Sequence, residues 1–97
     1  MRKLKVLIAD DSGVYRRIIQ KAVLNAYADA EITMVENGVR VLEELPKKRY
    51  DVVLLDVNMP QMDGLTALAE IKKKYYELPV IMISATGTQG AKSTIEA

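Results

Sequence analysis

Short apolar runs alternate with segments of helical periodicity along this chain. Three runs rich in Val, Ile and Leu are typical of strands buried on both faces of a parallel sheet: Lys5–Ala9, Val52–Leu55 and Leu78–Ser84. Another run, Glu31–Glu36, is second in chain order; it alternates apolar and polar positions and predicts a less buried strand. Each gap between consecutive strands is long enough for one helix.

Three helices are predicted in these gaps. The first follows Asp11-Ser12, either of which can serve as N-cap, the second runs from Asn37-Gly38 to Pro46, and the third begins at about Leu65. The apolar stripe of the first helix is Val14, Ile18, Ala22 and Ala26, flanked by Ile19 and Val23, and its polar face carries Arg16, Arg17, Gln20 and Lys21. The inward positions of the other two helices are Val39, Leu42, Leu45, Leu68, Ile71 and Tyr75.

Strand and helix therefore alternate with short connections. This order predicts one three-layer α/β domain whose parallel sheet is joined by right-handed crossovers. After the last strand, the small and polar residues of Ala85–Gly90 predict a loop, and Ala91–Ala97 is expected to begin a further helix.

Composition excludes several classes of chemistry. The chain has 97 residues, 49% of them hydrophobic, which suffices for one core and leaves no room for a second domain. Without Cys or His it has no disulfide, thiol or imidazole chemistry. The net charge is +1, and the clusters Lys47–Arg49 and Lys72–Lys74 are expected to be solvated helix ends and not a nucleic-acid surface. No run approaches the roughly 20 apolar residues that span a bilayer, so we expect a cytoplasmic protein without membrane contact.

Acidic residues follow two of the buried strands. Asp10 and Asp11 come after Lys5–Ala9, and Asp56 comes after Val52–Leu55. The carboxyl ends of parallel strands meet at one edge of the sheet, where open α/β folds build their sites, so these carboxylates should converge. An oxygen-only cluster repels itself unless a cation binds, and Mg²⁺ suits such ligands best. Ser84 adds a hydroxyl at the end of the fourth strand, although capping and turn formation would also explain these residues.

These motifs together resemble the receiver domain of bacterial two-component response regulators. The resemblance rests on Asp10-Asp11, on Leu55-Asp56 followed by Met59–Gly64, and on Ser84-Ala85, and it covers nearly the whole chain. The segment Asp11–Arg17 together with Met82–Ala85 is similar to receivers of chemotaxis proteins, including the receiver of the chemotaxis methylesterase.

The resemblance implies a flavodoxin-like sheet and a phosphorelay role. Asp56 would accept a phosphoryl group from a histidine kinase, and Asp11 would bind Mg²⁺ directly. Asp10 would bind the ion largely through water, Asn58 would bind it through its main-chain carbonyl, and Ser84 would hydrogen-bond the phosphoryl group and move on activation. The acyl phosphate would bias a surface read by an output domain or target protein, so the domain would not be a turnover enzyme.

The sequence after Ser84 departs from the family pattern. Receivers have a fifth strand ending in a Lys followed by Pro, and then a last helix, and neither is found here. We therefore expect residues 1–97 to be a receiver incomplete at its C-terminus, with strand order 2-1-3-4 and an exposed fourth strand. Self-association or pairing with a complementing fragment is then expected, because an uncovered strand offers unpaired backbone groups.

Three alternatives remain open from the residues. The chain could be a receiver fragment that cannot accept phosphate and serves as an interaction module. A Mg²⁺-dependent aspartyl phosphatase would need a second Asp at the position of Asn58. A phosphate-cofactor binder of flavodoxin type would need a Gly- or Ser/Thr-rich loop where Asp10-Asp11 stands.

Overall fold

The computed structural model describes residues 3–85 and 92–96. The described elements, in chain order, are β1 (Lys5–Ala9), α1 (Gly13–Ala26), β2 (Glu31–Val35), α2 (Gly38–Glu44), β3 (Val52–Asp56), α3 (Gly64–Lys74), β4 (Val80–Ala85) and β5 (Lys92–Glu96). Every predicted strand and helix up to β4 is present within a few residues of its expected bounds. Among the described residues, no helix has the length and apolarity needed to cross a membrane.

The sheet has the order β2-β1-β3-β4-β5. Its first four strands run parallel, so the predicted flavodoxin-like order 2-1-3-4 is confirmed. Strand β2 lies at one edge and is only partly buried, as its alternating pattern predicts. The register pairs Ala9 of β1 with Val35 of β2 and with Leu55 of β3, which aligns the carboxyl ends of all three strands.

The residues after β4 behave differently from expectation. Lys92–Glu96, which we expected to be helical, forms an antiparallel strand along β4, with Ser84 paired to Ser93 and Ile81 to Glu96. Strand β4 is therefore not the exposed edge that the sequence suggested. The physical reason is that β4 would otherwise carry a row of unpaired backbone groups, and an antiparallel return needs only a short connection, whereas a parallel strand needs a long crossover. The predicted loop at 85–90 lies outside the described residues except for Ala85.

One face of the sheet packs against α2 and α3. The centre of this core consists of fully buried side chains from both helices and from β1, β3 and β4: Leu7, Val41, Val53, Leu55, Ala67, Ile71 and Val80. The inward positions are Val41 of α2 and Leu45, the C-cap of α2, one turn apart, whereas Val39 is 37% exposed. The prediction that Val39 points inward is wrong, because the residues of this short segment that face the sheet are Val41 and Leu45, four positions apart.

Within residues 3–85 and 92–96, the opposite face of the sheet is only partly covered. Helix α1 lies there, but it has no buried residue, and the predicted stripe positions Val14 and Ile18 are 68% and 55% exposed. An apolar groove of about 790 Å³ runs between α1 and the sheet. Its walls are formed from Leu4, Val6, Tyr15, Ile18, Ile19, Ala22, Val23, Ala26, Tyr27, Val52, Leu54, Ile81 and Ile83. The expectation that β3 is buried on both faces is therefore wrong for Val52 and Leu54, which are half-buried because α1, as described, covers this face only in part.

Candidate functional site

Strand register places two carboxylates side by side at the carboxyl edge of the sheet. Ala9 and Leu55 are register partners on β1 and β3, and the residues that follow them are Asp10 and Asp56. Both side chains are buried, at 0% and 2% exposure. Asp11 is exposed, yet one oxygen from each of the three aspartates lies within 4.8 Å of the others. The predicted convergence of Asp10, Asp11 and Asp56 is therefore present.

Asp10 is held by the turn that leads from β1 into α1. Its amide donates to the carbonyl of Val35 on β2 at 3.2 Å, and its Oδ1 accepts from the Ser12 amide at 2.9 Å. Ser12 is the N-cap of α1, because its Oγ accepts from the amide of Tyr15 at 3.2 Å. One short hydrogen-bonded turn thus fixes both the buried carboxylate and the start of the helix.

The segment after β3 folds back over its own end and orients Asp56. The Asn58 amide approaches Oδ1 of Asp56 at 3.3 Å, and the Val57 amide donates to the carbonyl of Ile83 on β4 at 2.9 Å. The Gly64 amide then donates to the carbonyl of Val57 at 2.8 Å, which brings the start of α3 against the strand. A Cβ at Gly64 would overlap the carbonyl oxygen of Asp56, so this close approach requires glycine.

Two helix caps fix the remainder of this loop. Asn37, the N-cap of α2, accepts from the Arg40 amide at 2.9 Å and donates its Nδ2 to Oε1 of Gln61 at 3.0 Å. Gln61 has a φ of 70°, a backbone conformation that side-chain-bearing residues rarely adopt. Asp63 caps α3, and hydrogen bonds from Thr66, chiefly from its amide, hold the pKa of the Asp63 carboxyl below its usual value.

The two other predicted site residues lie at the same edge. Asn58 is exposed and is the second residue after the end of β3. Ser84 lies on β4, one residue beyond Ile83, which is the register partner of Asp56. The role expected of the Ser84 hydroxyl, like that of the Asn58 carbonyl, stays a prediction.

The donor set fits Mg²⁺. All three side chains offer oxygen, which a hard cation prefers, and mutual repulsion of carboxylates this close favours a cation between them. Oxygens bound to one Mg²⁺ at about 2.1 Å are at most about 4.2 Å apart, so small side-chain rotations would bring this set into range. Because Mg²⁺ keeps several waters, one or two direct carboxylates suffice.

Arg16 makes a contact with the acidic turn that the sequence did not predict. We placed it on the solvated face of α1, but it is half-buried and its Nη1 donates to the main-chain carbonyl of Asp10 at 2.6 Å. It also borders a cleft of about 270 Å³ at the end of β2, together with Arg40. The spacing of Asp10 and Arg16 could have signalled this contact, since a long cationic side chain in the first turns of a helix can reach back to the preceding loop.

Comparison with known proteins agrees with the geometry. Residues 6–97 match the model of the response regulator receiver domain family. A protein-glutamate methylesterase/protein-glutamine glutaminase of Pyrococcus abyssi is 45% identical over 97 residues, which cover 99% of this chain and 26% of the relative. The chain thus spans about a quarter of the length of the curated relatives it matches.

Solved structures extend this similarity to the fold. The response regulator TrrA of Thermotoga maritima, in complex with Mg²⁺ and a beryllium fluoride, is 30% identical and superposes with a TM-score of 0.80 over 87% of this chain and 71% of TrrA. A complex of the histidine kinase ThkA with TrrA is similar at 27% identity and a TM-score of 0.77, over 91% of this chain and 75% of the other.

Proposed function

We propose that residues 1–97 of this chain, which belongs to the response regulator receiver domain family, act as a receiver whose phosphoacceptor is Asp56. The observation that carries the proposal is the burial of Asp56 at the carboxyl edge of the sheet, within 4.8 Å of Asp10 and Asp11. Asp56 and Asp10 are the two charged side chains buried there among the residues described, and they lie where an open α/β sheet builds its ligand site.

The chemistry is transfer of one phosphoryl group. An Oδ of Asp56 attacks the phosphorus of a phosphohistidine, a P–O bond forms as the P–N bond breaks, and the imidazole leaves with the electron pair. The Asn58 amide, near Oδ1 of Asp56, orients the nucleophile. The product is an acyl phosphate on the protein, so the domain accepts one group and does not turn over substrate.

Four further groups complete the proposed site. Asp11 would bind Mg²⁺ directly, Asp10 largely through water, and Asn58 through its main-chain carbonyl, beside Asp56 itself. Mg²⁺, when bound, neutralises charge on the phosphoryl oxygens. Ser84 would donate a hydrogen bond to the phosphoryl group from the neighbouring strand.

We propose a histidine kinase as the phosphodonor and a linked output domain as the reader. The ThkA complex with TrrA supports the first, since that response regulator shares this fold. The similarity to protein-glutamate methylesterases supports a chemotaxis-type receiver that regulates a methylesterase domain in a longer protein. Phosphorylation would then act through added charge at the sheet edge.

Labelling with a small phosphodonor tests the assignment. Acetyl phosphate and Mg²⁺ should label Asp56, as mapped by mass spectrometry of peptides from a protein that contains the complete domain. Asp56→Asn should abolish labelling, whereas Asp63→Asn, the same change at an exposed helix cap, should not. Label on Asp10 or Ser84, with Asp56 unmodified, would overturn the proposal. For the 97-residue chain we expect slow or undetectable transfer, because no Lys followed by Pro, the family's pattern for the Lys that pairs with the phosphoryl group, is found in residues 1–97.

A second function, as an interaction module, is favoured by the apolar groove beside α1. Among its walls, Ile18 is 55% exposed and Leu54 and Ile81 are half-buried. A second copy or a complementing fragment would cover these side chains, and burial of apolar surface contributes about 25 cal/mol per Å². This surface replaces the edge of β4 as the place where association is expected.

Sedimentation across a dilution series tests the second function. The wild-type chain should associate, and Ile18→Glu should shift it towards the monomer. Leu65→Glu is the control, because Leu65 is 62% exposed on α3 and does not border the groove. A folded monomer at all concentrations by sedimentation and circular dichroism would contradict association through this surface.

A further inference from the structure

Arg16 bonds to the turn that carries the acidic site. Its Nη1 donates to the Asp10 carbonyl at 2.6 Å, and its own amide donates to the Ser12 carbonyl at 2.9 Å. The side chain is half-buried, whereas Arg17, the next residue, is exposed. The guanidinium therefore holds the carbonyl that precedes Asp11, while the amide bond to Ser12 is the first main-chain hydrogen bond of α1.

Hydrogen bonds thus join Asp10, Ser12 and Arg16, the residues on either side of Asp11. The third of these bonds runs from the Ser12 amide to Oδ1 of Asp10, so it includes the buried carboxylate. A hydrogen bond that involves a guanidinium is roughly twice as strong as one between neutral groups. The exposed carboxylate of Asp11 projects from this turn, and its distance from Asp10 and Asp56 depends on the turn's conformation.

We propose that Arg16 is a positioning residue that fixes the turn from Asp10 to Ser12 so that the carboxylates of Asp10 and Asp11 converge with Asp56. Arg16 acts through the main chain and does not touch the bound ion. This inference rests on the proposed function where it names Mg²⁺ as the ligand. The arrangement of the turn itself is a property of the protein without metal.

Electrostatics and positioning predict opposite effects of removing Arg16. A guanidinium near a cation site repels the cation, so loss of its charge alone would strengthen Mg²⁺ binding. Loss of a group that orients ligands weakens metal binding, commonly by 10-fold to 100-fold. The sign of the change therefore separates the two roles.

The experiment compares Arg16→Gln with Arg17→Gln, which removes the same charge from the adjacent exposed position. Mg²⁺ is titrated into each ¹⁵N-labelled protein and amide shifts are followed by NMR. We expect Arg16→Gln to weaken Mg²⁺ binding about tenfold, as loss of an outer-shell partner does. Arg17→Gln should leave the affinity unchanged or slightly tighter. Arg16→Lys, which keeps a long cationic donor, should recover part of the loss.

A second readout needs no metal. Without Mg²⁺, Arg16→Gln should speed hydrogen exchange at the Ser12 amide, which donates to Asp10, while Arg17→Gln should not. Equal exchange and equal or tighter Mg²⁺ binding in Arg16→Gln would overturn the proposal. If the wild type itself fails to bind Mg²⁺, the proposed function fails, while the exchange measurement still decides the role of Arg16. If Arg16→Gln does not fold, the same two readouts on Arg16→Lys decide it.

Discussion

Asp10 and Asp56 lie side by side at the ends of two adjacent parallel strands, because Asp10 directly follows Ala9 of β1, Asp56 directly follows Leu55, and Ala9 and Leu55 are register partners. Two negative charges are thereby buried side by side, where like charges destabilise one another in the absence of a compensating group. A cation bound between the two carboxylates would compensate this repulsion, which agrees with a site for a cation and a phosphoryl group. The exposed Asp11 completes the set without further burial of charge.

Removing Asp11 should weaken Mg²⁺ binding more than any outer-shell change. We expect Asp11→Ala to lower the affinity by more than about tenfold, because it removes a direct ligand. Asp29→Ala, at an exposed position in the connection between α1 and β2, is the matched control. NMR titration with Mg²⁺ measures both, and an Asp11→Ala response equal to that of wild type would remove Asp11 from the ligand set.

Adding one methyl group at Gly64 should destabilise the domain. The new Cβ would overlap the Asp56 carbonyl, and such overpacking costs about 1–3 kcal/mol in the free energy of unfolding. Gly13→Ala is the control, because its Cβ would meet only Nη2 of Arg16 at 3.6 Å, an ordinary contact. Urea denaturation gives both values. If the two variants are equally stable, the close approach of α3 to β3 is not as tight as described.

The cap of α3 should make stability depend on pH. The pKa of Asp63 is lowered in the folded protein, so its stabilising effect is complete above the unfolded value of about 3.9 and is lost as the pH falls through the folded value. Asn also caps helices but does not titrate. The advantage of wild type over Asp63→Asn in urea denaturation should therefore shrink below about pH 4. An advantage that stays constant across that range would show that the Asp63 charge contributes nothing.

The four parallel strands and the convergence of aspartates were predictable because both depend on simple patterns. Apolar runs such as Val52–Leu55 define buried strands, and parallel strands necessarily bring their following residues to one edge. Asp10 and Asp56 could thus be placed from the sequence alone. Ser12 was one of two N-cap candidates, with Asp11, because both residue types commonly cap helices.

Other features depend on tertiary contacts that periodicity does not encode. Lys92–Glu96 has no pattern that selects strand over helix, and its pairing with β4 decides its conformation. The stripe of α1 predicted an inward face, but the extent to which Ile18 is covered depends on what else packs beside α1. The bond from Arg16 to Asp10 likewise follows from the path of the turn.

The most direct test of Asp56 as the phosphoacceptor is binding of beryllium fluoride, a phosphoryl mimic, to the 97-residue chain, followed by ¹⁹F NMR. It needs the geometry of the acidic edge and no phosphoryl transfer, so slow chemistry does not obscure the result. We predict bound fluorine signals for wild type and for Asp63→Asn when Mg²⁺ is present, and none for Asp56→Asn. Absence of bound signals in wild type with Mg²⁺, or the same signals in Asp56→Asn, would contradict the assignment of Asp56 as phosphoacceptor.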